Sequence, residues 1–549
     1  MIKPLFFSVM LSLLVISCNP PTDSSPIGKP KLVVGIVVDQ MRNDYLYRYY
    51  DKFGEGGFKR FVDQGFVLKN GHFNYIPTST GPGHASVYTG TTPANHGVIA
   101  NGWYDKVSKR FINCVEDTTV RTLGSESNAG LFSPKNLLVT TISDALKLST
   151  NMKSKVIGIS LKNRGAILPA GGAADGAYWY DWGNGKFVSS TYYFDELPEW
   201  VTDFNDRNLV DEYLSQTWKT LLPIIQYTES GPDDSPYERK FKGKETPTFP
   251  YDLSTLKEEN GGYSLLGSTP FGNTYVKEMA MAAIESEAMG QDEITDLLAI
   301  GFSSTDILGH AFGPSSVEVE DVYLRLDQDL SDFFTYLDKS VGENEYLVFL
   351  TADHGVAEVP QFLIDNKLPG GYFRNRQEKQ RQTEDYLQKI YGPGDWIENV
   401  SNNQVFLNRK LIRDLNVNLQ EMQRKVADFL LEFEGINHAF TATELTNTSF
   451  DATGIRSLLY RGFNMERSGD VVFTIRPGWL SSSSNQGTSH GSGYIYDTHV
   501  PILFYGWGIS QGETVKYYAI TDIAPTLSML LDIQLPSMST GSPIEELFE

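Results

Sequence analysis

The sequence predicts an α/β fold: a mainly parallel central sheet flanked by helices, with inserted cap regions. Three continuous apolar runs, residues 31–38, 296–303 and 346–350, have the composition of buried parallel strands. Between them lie helical patterns with apolar residues three and four positions apart. Strands that alternate with helices are typical of a parallel sheet covered on both faces. We therefore expect one α/β domain over residues 30–549.

Each predicted element has its own local signal. The run at residues 31–38 is rich in β-branched side chains and is followed by Asp39, a polar residue placed where a buried strand would leave the sheet. The clearest helix follows Ser316, an N-cap residue, and carries apolar side chains from Val319 to Leu337. Two more strands and a closing helix are predicted at residues 156–160, 500–504 and 522–531.

Two long segments lack buried-strand runs and are predicted to be insertions over one edge of the sheet. Residues 178–269 and 361–476 are rich in Gly, Pro, aromatic and charged residues. In the first segment, an aromatic cluster before Asn184 and Gly185 predicts a hairpin with packed rings. The acidic residues between 318 and 332 are predicted to lie on the solvated face of their helix.

Composition and charge argue against two classes of protein, nucleic-acid-binding proteins and disordered chains. The 549 residues include 46 Lys and Arg against 68 Asp and Glu, a formal charge of −22. Nucleic acid as a binding partner is therefore not expected, because a phosphate backbone requires a basic face. A disordered chain is also excluded, since 40% of the residues are hydrophobic and 12% are aromatic. We expect a monomer.

The first residues resemble a bacterial lipoprotein signal. A lysine precedes an apolar run at residues 5–16 that is too short to span a bilayer, and Cys18 follows it. This predicts a signal peptide at residues 1–17 and a tether at residues 18–29, with membrane contact only through a lipid on Cys18 and a periplasmic or outer-membrane location. The alternative is an ordinary signal peptide with an incidental cysteine. The second cysteine, Cys114, is left without a partner, so a metal site must use His and carboxylates.

Polar side chains follow three of the predicted strands and are expected to meet at one edge of the sheet. Asp39 ends the first run, Asp306 follows the second, and Asp353 with His354 follows the third. Ligands of an open α/β sheet bind beyond the carboxyl ends of its strands. Each residue alone has a structural interpretation, as a helix cap, a turn residue or a hydrogen-bonded histidine. The set as a whole favours a metal site.

The ligand types favour zinc. Asp306 and His310 are four residues apart, which places both side chains on one face of a helical turn. His490, in a Gly-rich loop, adds another imidazole. A mixture of His and carboxylate suits zinc better than calcium or magnesium, which prefer oxygen ligands. Two sites of three or four ligands are expected, and paired zinc ions roughly 3.5–4 Å apart suit displacement at phosphorus.

A nucleophile is expected in the segment that precedes the helical residues 85–88. A hydroxyl at a helix N-terminus meets unpaired N–H groups and the positive end of the helix dipole, which together stabilise a phosphoryl group. Position alone does not choose among Thr78, Ser79 and Thr80. The structural alternative is that these hydroxyls only cap the helix.

Four motifs, taken together, resemble the alkaline phosphatase superfamily of two-metal hydrolases. They are Thr80-Gly-Pro-Gly-His84, Thr305-Asp306-Ile-Leu-Gly-His310, Ala352-Asp353-His354-Gly355 and the late His490. They occur in the family's order, and the resemblance runs from about Lys31 to the C-terminus. Within the superfamily the sequence is most similar to the phosphate-irrepressible alkaline phosphatases, which are periplasmic or outer-membrane phosphomonoesterases with a threonine nucleophile.

The resemblance implies a role for each residue. One zinc ion would be held by Asp39, Thr80, Asp353 and His354, and the other by Asp306, His310 and His490. Thr80 would be the nucleophile, and Asn101 would donate to a phosphoryl oxygen. Lys162 and Arg164 would bind the oxygens of a small phosphate monoester, and two residues apart on an extended chain they would point the same way.

This pair of cations favours phosphate monoesters over diesters. A monoester carries about two negative charges, so an ammonium and a guanidinium beside two zinc ions bind it more strongly than a monoanionic diester. The structural alternative for Lys162 and Arg164 is a pair of surface cations. Two rival functions remain: a phosphodiesterase or nucleotide pyrophosphatase of the same superfamily, and a surface-binding lipoprotein with structural zinc. A sulfatase is disfavoured because Cys114 lacks that family's surrounding motif.

Five further histidines are expected to be structural: His72, His84, His96, His438 and His499.

Overall fold

The computed structural model describes residues 28–449 and 453–548, and an eleven-stranded sheet lies at its centre. The predicted signal peptide and Cys18 lie outside the described residues. In the described ranges, no helix is both long enough and apolar enough to cross a membrane.

Five adjacent strands form the parallel middle of the sheet, and all are buried. In spatial order they are Tyr346–Thr351, Leu32–Val38, Asp296–Phe302, Val156–Ser160 and Gly176–Asp181. In the register, Val38 lies opposite Phe302, and Val37 lies opposite Thr351. The carboxyl ends of these strands therefore meet at one edge of the sheet. The predicted fold class is confirmed, and so are the strands predicted near residues 31, 156, 296 and 346.

Six further strands, some of them paired antiparallel, complete the sheet on both sides. His499–Gly506 pairs with Tyr346–Thr351 on one side and with Phe66–His72 on the other. The strand predicted at residues 500–504 therefore exists, and it runs against its neighbours. The remaining strands are Gly512–Thr514 and Tyr518–Ala519 beside Phe66–His72, and Lys186–Ser190 and Thr122–Leu123 at the opposite edge.

Helices cover the sheet, and its apolar side chains form one large core with them. Ser316 caps the longest helix, Val317–Leu337, because its hydroxyl accepts a hydrogen bond from the amide of Val319 at 3.2 Å. The predicted N-cap is therefore confirmed. The closing helix spans Ile523–Leu530. The other helices of eight or more residues are Thr80–Thr89, Ile142–Ser149, Asn163–Ala170, Glu199–Asp206, Phe271–Ser286, Ser304–Phe312, Arg376–Tyr391, Leu419–Leu430 and Ile455–Gly462.

The first predicted insertion begins later than the sequence indicates. Gly176–Asp181 and Lys186–Ser190 form the predicted hairpin, but both strands belong to the central sheet. Trp179 and Tyr180 are buried in the body of the protein because the sheet extends through them. The boundary at residue 178 is therefore wrong, and an insertion on this side starts beyond residue 190.

The second segment, residues 361–476, contains a separate four-stranded sheet with its own apolar core. Its strands, in spatial order, are Ile397–Ser401, Gln404–Leu407, Val471–Ile475 and Ile436–Thr441. The core includes Trp396, Val426 and Phe473, and the helices Arg376–Tyr391 and Leu419–Leu430 pack onto it. This segment thus has a sheet and an apolar core of its own, and its assignment as an insertion stays a prediction.

The predicted solvated acidic face of helix Val317–Leu337 is wrong. Five of its acidic residues are buried: Glu318, Glu320, Asp321, Asp327 and Asp329. They are buried because neighbouring loops fold over the helix and donate hydrogen bonds to its carboxylates. Asp327, for example, accepts from the amides of Gly54 and Phe58, each at 2.7 Å.

Candidate metal centre

Three buried ligand atoms at the edge of the sheet form the first candidate metal group. Asp39 directly follows the strand Leu32–Val38, while Asp353 and His354 follow the neighbouring strand Tyr346–Thr351. One ligand atom from each of the three lies within 4.8 Å of the other two. The atoms Oδ1 of Asp39, Oδ2 of Asp353 and Nε2 of His354 are all buried without a hydrogen-bond partner in the described residues. Buried polar atoms are normally paired, so three unpaired acceptors at one point fit a cation.

The second candidate group consists of Asp306, His310 and His490. Asp306 and His310 lie on helix Ser304–Phe312, which follows the strand Asp296–Phe302. Oδ1 of Asp306 is 3.2 Å from Nε2 of His310 and 3.6 Å from Nε2 of His490. The two groups adjoin, because the rings of His354 and His490 stack with their centroids 3.4 Å apart.

All three histidines of the two groups present Nε2 to the centre. Their Nδ1 atoms face backbone carbonyl oxygens instead: that of Thr488 for His310, Gly355 for His354 and Thr78 for His490, at 2.9, 2.9 and 2.8 Å. An Nδ1–H that donates to a carbonyl leaves the lone pair on Nε2. This is the arrangement that orients histidine ligands in metal sites.

Burial and mutual repulsion perturb the carboxylates of the site. The pKa of Asp39 is raised well above its usual range by burial and by the charges of Asp306 and Asp353. Burial also raises the pKa of Asp353 to about 6. For Asp306 burial acts in the same direction, but the charges of His310 and Lys162 outweigh it and hold the pKa well below its usual range. A divalent cation would relieve the repulsion among these carboxylates.

Lys162 lies between the two groups. Its Nζ donates to Oδ2 of Asp39 at 2.6 Å and also to Oδ2 of Asp306. The side chain is buried, which excludes the alternative of a surface cation. The pKa of Lys162 is lowered by burial but raised overall by Asp306 and Asp39, so the ammonium stays charged.

Arg164 is not on the same extended segment as Lys162, and that part of the prediction is wrong. Lys162 is the extended N-cap residue of helix Asn163–Ala170, so Arg164 lies in the first helical turn. A helix starts here because the chain turns back onto the sheet directly after the strand Val156–Ser160. Nε of Arg164 is buried and has no hydrogen-bond partner in the described residues.

Thr80 is the first residue of helix Thr80–Thr89 and is almost completely buried. Ser79 precedes it in extended conformation as the N-cap residue. The hydroxyl of Thr78 donates to the carbonyl of Ser492 at 2.7 Å, so it has a structural role. A Cβ on Gly83 would lie 2.3 Å from the carbonyl oxygen of Asp353, so only glycine lets this helix approach the metal ligands.

Asn101 is fixed against the start of this helix. Its side-chain Oδ1 accepts a hydrogen bond from the amide of Gly81 at 2.6 Å. The carbonyl oxygen of the Asn101 side chain is thus occupied, and its NH₂ group has no hydrogen-bond acceptor within residues 28–449 and 453–548.

Gln40 was missed by the sequence analysis, although it contacts both groups. Its backbone amide donates to Oδ1 of Asp353 at 3.1 Å, and its Nε2 donates to Oδ1 of Asp306 at 2.6 Å. Gly309 makes room for it, since a Cβ there would lie 2.1 Å from Oε1 of Gln40. The only available signal was the position of Gln40 directly after Asp39.

The five histidines expected to be structural lie outside both groups: His72, His84, His96, His438 and His499.

Comparisons with known proteins agree with this geometry. A family model for type I phosphodiesterase / nucleotide pyrophosphatase matches residues 33–499. The chain is 47% identical over 525 residues to alkaline phosphatase PafA of Elizabethkingia meningoseptica, covering 95% of each chain. It is 47% identical over 533 residues to alkaline phosphatase PhoV of Synechococcus elongatus, covering 97% of this chain and 95% of that one. A crystal structure of wild-type PafA matches with a TM-score of 0.91 and 47% identity, covering 95% of this chain and 99% of that chain.

Fold and site together define an α/β protein with two adjoining ligand groups at the carboxyl edge of a parallel sheet. The chain belongs to the type I phosphodiesterase / nucleotide pyrophosphatase family. The resemblance to the alkaline phosphatase superfamily that the motifs indicated is confirmed.

Proposed function

We propose that this protein is an alkaline phosphatase that hydrolyses small phosphate monoesters. The observation that carries the proposal is the convergence of two metal-ligand groups, Lys162 and the start of helix Thr80–Thr89 at one edge of the sheet. Two relatives named alkaline phosphatase, at 47% identity over almost the whole chain, support the same activity.

Two zinc ions are the proposed cofactors. Asp39, Asp353 and His354 would hold one ion together with the hydroxyl oxygen of Thr80. Asp306, His310 and His490 would hold the other. The mixed imidazole and carboxylate donors fit zinc. When bound, the ions would supply positive charge that favours the deprotonated nucleophile and the departing oxygen.

Thr80 is the proposed nucleophile. Its hydroxyl loses a proton to solvent, and the oxygen attacks phosphorus in line with the ester oxygen, so that one P–O bond forms as the bond to the alcohol oxygen breaks. The departing oxygen takes up a proton from solvent. The product is phosphothreonine and the alcohol. Water then attacks the phosphothreonine from the side that the alcohol left, which releases inorganic phosphate and restores the hydroxyl of Thr80.

Asn101, Lys162 and Arg164 are proposed to hold the three non-bridging oxygens. The free NH₂ group of Asn101 and the buried ammonium of Lys162 are hydrogen-bond donors beside the start of the helix. The unpaired Nε–H of Arg164 is a third donor. Such preorganised donors stabilise charge that spreads over the oxygens in the transition state.

Replacement of the nucleophile tests the proposal. Thr80→Ala is expected to abolish release of p-nitrophenol from p-nitrophenyl phosphate while two zinc ions per chain remain bound, measured by mass spectrometry of the metals. Thr89→Ala, at the other end of the same helix, is the matched control and should keep wild-type turnover. Unchanged turnover in Thr80→Ala would reject the assignment.

A phosphodiesterase is the second candidate, because the family model carries that description. Specificity constants for a monoester and a diester of the same alcohol separate the two. We expect the monoester to be preferred, since the cations Lys162 and Arg164 match its second negative charge. A preference for the diester would contradict the proposed substrate class.

We also propose that the protein acts outside the inner membrane, held by a lipid on Cys18. The proposal rests on the apolar run that precedes this cysteine. Cys18→Ala should move the phosphatase activity from the membrane fraction to the soluble fraction. Activity that stays in the membrane fraction would contradict the anchor.

A further inference from the structure

A cavity of about 320 Å³ connects the candidate metal centre with the four-stranded sheet of residues 397–475. His490 and Ser79 line one part of it, while Arg376 and Asn403 line another. The volume is within the range of roughly 300–1,000 Å³ that is typical of small-molecule sites. A monoester with its phosphoryl group beside Thr80 would place its alcohol portion in this space.

Much of the cavity wall is apolar. Ile455, Leu459, Phe463 and Val472 contribute to it, together with the ring of Tyr494. Such a wall accepts the carbon skeleton of an alcohol but offers no charge to orient it.

Arg376 is the only Arg or Lys among the described residues that line the cavity. The carboxylate of Asp497 also lines it, but its Oδ2 accepts hydrogen bonds from the amides of Gly491 and Ser492. Arg376 is half-buried at the start of helix Arg376–Tyr391, and its Nη2 donates to Oδ1 of Asn403 at 3.2 Å. Burial lowers the pKa of Arg376, and no carboxylate opposes this effect. No Asp or Glu in the described ranges, residues 28–449 and 453–548, forms an ion pair with it.

An unpaired arginine is notable in a protein with 22 more acidic than basic residues. A guanidinium that has lost part of its water is stabilised by a planar anion that it can bind through two N–H groups. Asn403 already fixes one nitrogen of the guanidinium, so the remaining N–H groups are held ready for a ligand.

We propose that Arg376 and Asn403 form a second anion subsite, which selects phosphate monoesters whose alcohol carries a further compact anionic group, a carboxylate or a second phosphoryl group. This inference rests on the proposed phosphatase activity, because it assigns the alcohol portion of the substrate to the cavity. Arg376 is then a residue that determines specificity and takes no part in the displacement at phosphorus.

Matched substrates test the subsite. The series consists of ω-carboxyalkyl phosphates and the corresponding ω-carbamoyl amides, which differ in charge at equal chain length, together with alkanediol bisphosphates. Release of inorganic phosphate gives kcat/KM for each ester. We expect the wild-type zinc enzyme to prefer the carboxylate or the bisphosphate over the amide by about tenfold at one chain length, as one charge-assisted hydrogen bond would produce.

Substitution of the arginine assigns the effect. Arg376→Gln should reduce the preference to about one, chiefly through KM, and Arg376→Lys should retain part of it. Arg374→Gln is the matched control: Arg374 is exposed two residues earlier, contacts Asn485 and does not line the cavity, so it should keep the wild-type preference. Equal preference in the wild type and Arg376→Gln, or no preference at any chain length, would overturn the inference.

Binding to the Thr80→Ala variant separates this inference from the proposed function. Calorimetric titration of the same esters into the zinc-loaded variant measures affinity where no turnover is expected. A carboxylate ester that binds about tenfold more tightly than its amide, and loses this advantage with Arg376→Gln added, supports the subsite even if hydrolysis by the wild type were not found. Equal affinities for both esters contradict the subsite. The relative effects for carboxylates and bisphosphates show which anion the subsite prefers.

Discussion

Gln40 contacts both candidate metal groups, one through its backbone amide and the other through its side chain. It stands in a left-handed conformation, with φ at 67°, directly after the ligand Asp39. This turn directs its backbone amide to Asp353 and its side-chain amide to Asp306. The hydrogen bonds fix one carboxylate in each group, so we infer that Gln40 is a positioning residue for both candidate metal groups.

Gln40→Leu should weaken zinc binding by about 10- to 100-fold, because residues that orient metal ligands commonly have effects of this size. Equilibrium dialysis against zinc measures the change. Gln511→Leu, at an exposed position where the side chain donates to the carbonyl of Asp63, is the control. Wild-type zinc affinity in Gln40→Leu would contradict the positioning role.

Protons are expected to compete with zinc at the same ligands. Burial raises the pKa of Asp353 to about 6, so without metal this carboxyl is protonated below that pH and ionised above it. The pKa of Asp39 is raised as well, by burial and by its acidic neighbours. Zinc must displace these protons, and its dissociation constant should therefore rise as the pH falls below about 6, by up to about tenfold per pH unit for each proton displaced. Dialysis at pH 5 to 8 tests this; a constant affinity across that range would contradict it.

Helix Val317–Leu337 holds neighbouring loops in place through buried carboxylates. Asp321 accepts hydrogen bonds from Nε1 of Trp218 at 2.7 Å, from the amide of Leu221 at 2.6 Å, and from the hydroxyl of Tyr227. Arg325, one turn later on the same helix, forms an ion pair with it at 2.7 Å. One carboxylate thus ties a long loop to the helix that lies beside the sheet.

Removal of this carboxylate should destabilise the fold. Asp321→Ala leaves several buried donors without an acceptor, and we expect it to lower the free energy of unfolding by about 3 kcal/mol. Asp332→Ala, on the same helix with a side chain 71% exposed, should change it by less than about 0.5 kcal/mol. Urea unfolding of both variants provides the comparison. Equal stabilities would show that the buried hydrogen bonds contribute little.

The elements with local signals were the ones that the sequence could predict. A continuous apolar run predicts a buried strand, and an apolar period behind a cap such as Ser316 predicts a helix. The candidate metal ligands were chosen from their places after such runs, and their role as ligands stays a prediction. The buried acids of helix Val317–Leu337 carry no comparable signal, because their partners lie up to 273 residues away. The position of Arg164 was also predicted wrongly. A shift of one residue in where a helix begins changes the direction in which a side chain points, and the sequence does not fix that start.

The candidate metal centre gathers residues from the whole length of the chain. Asp39, Asp306, Asp353 and His490 come from four separate segments. The parallel register of the sheet aligns the strand ends that precede the three carboxylates, and a loop brings His490 to them. Without a cation, the three buried carboxylates repel one another, and Lys162 offsets only part of that repulsion. Bound zinc should therefore stabilise the fold of the entire protein.

Chelation is expected to lower thermal stability. A ligand that binds only the folded state adds about 2.7 kcal/mol for each site at a concentration one hundred times its dissociation constant. The midpoint of thermal unfolding should therefore rise with zinc concentration and fall with EDTA. Asp39→Asn, which removes a charged ligand, should show a smaller difference between the two conditions. A midpoint that does not respond to chelation would contradict a shared metal centre.

The strand His499–Gly506 lies between two strands that precede it in the chain, Phe66–His72 and Tyr346–Thr351. During synthesis, a nascent polypeptide that has not yet reached residue 490 lacks both His490 and this strand, so its sheet is incomplete. Hydrolytic competence is consequently among the last properties that the growing chain acquires, and premature termination before this segment yields an inactive fragment.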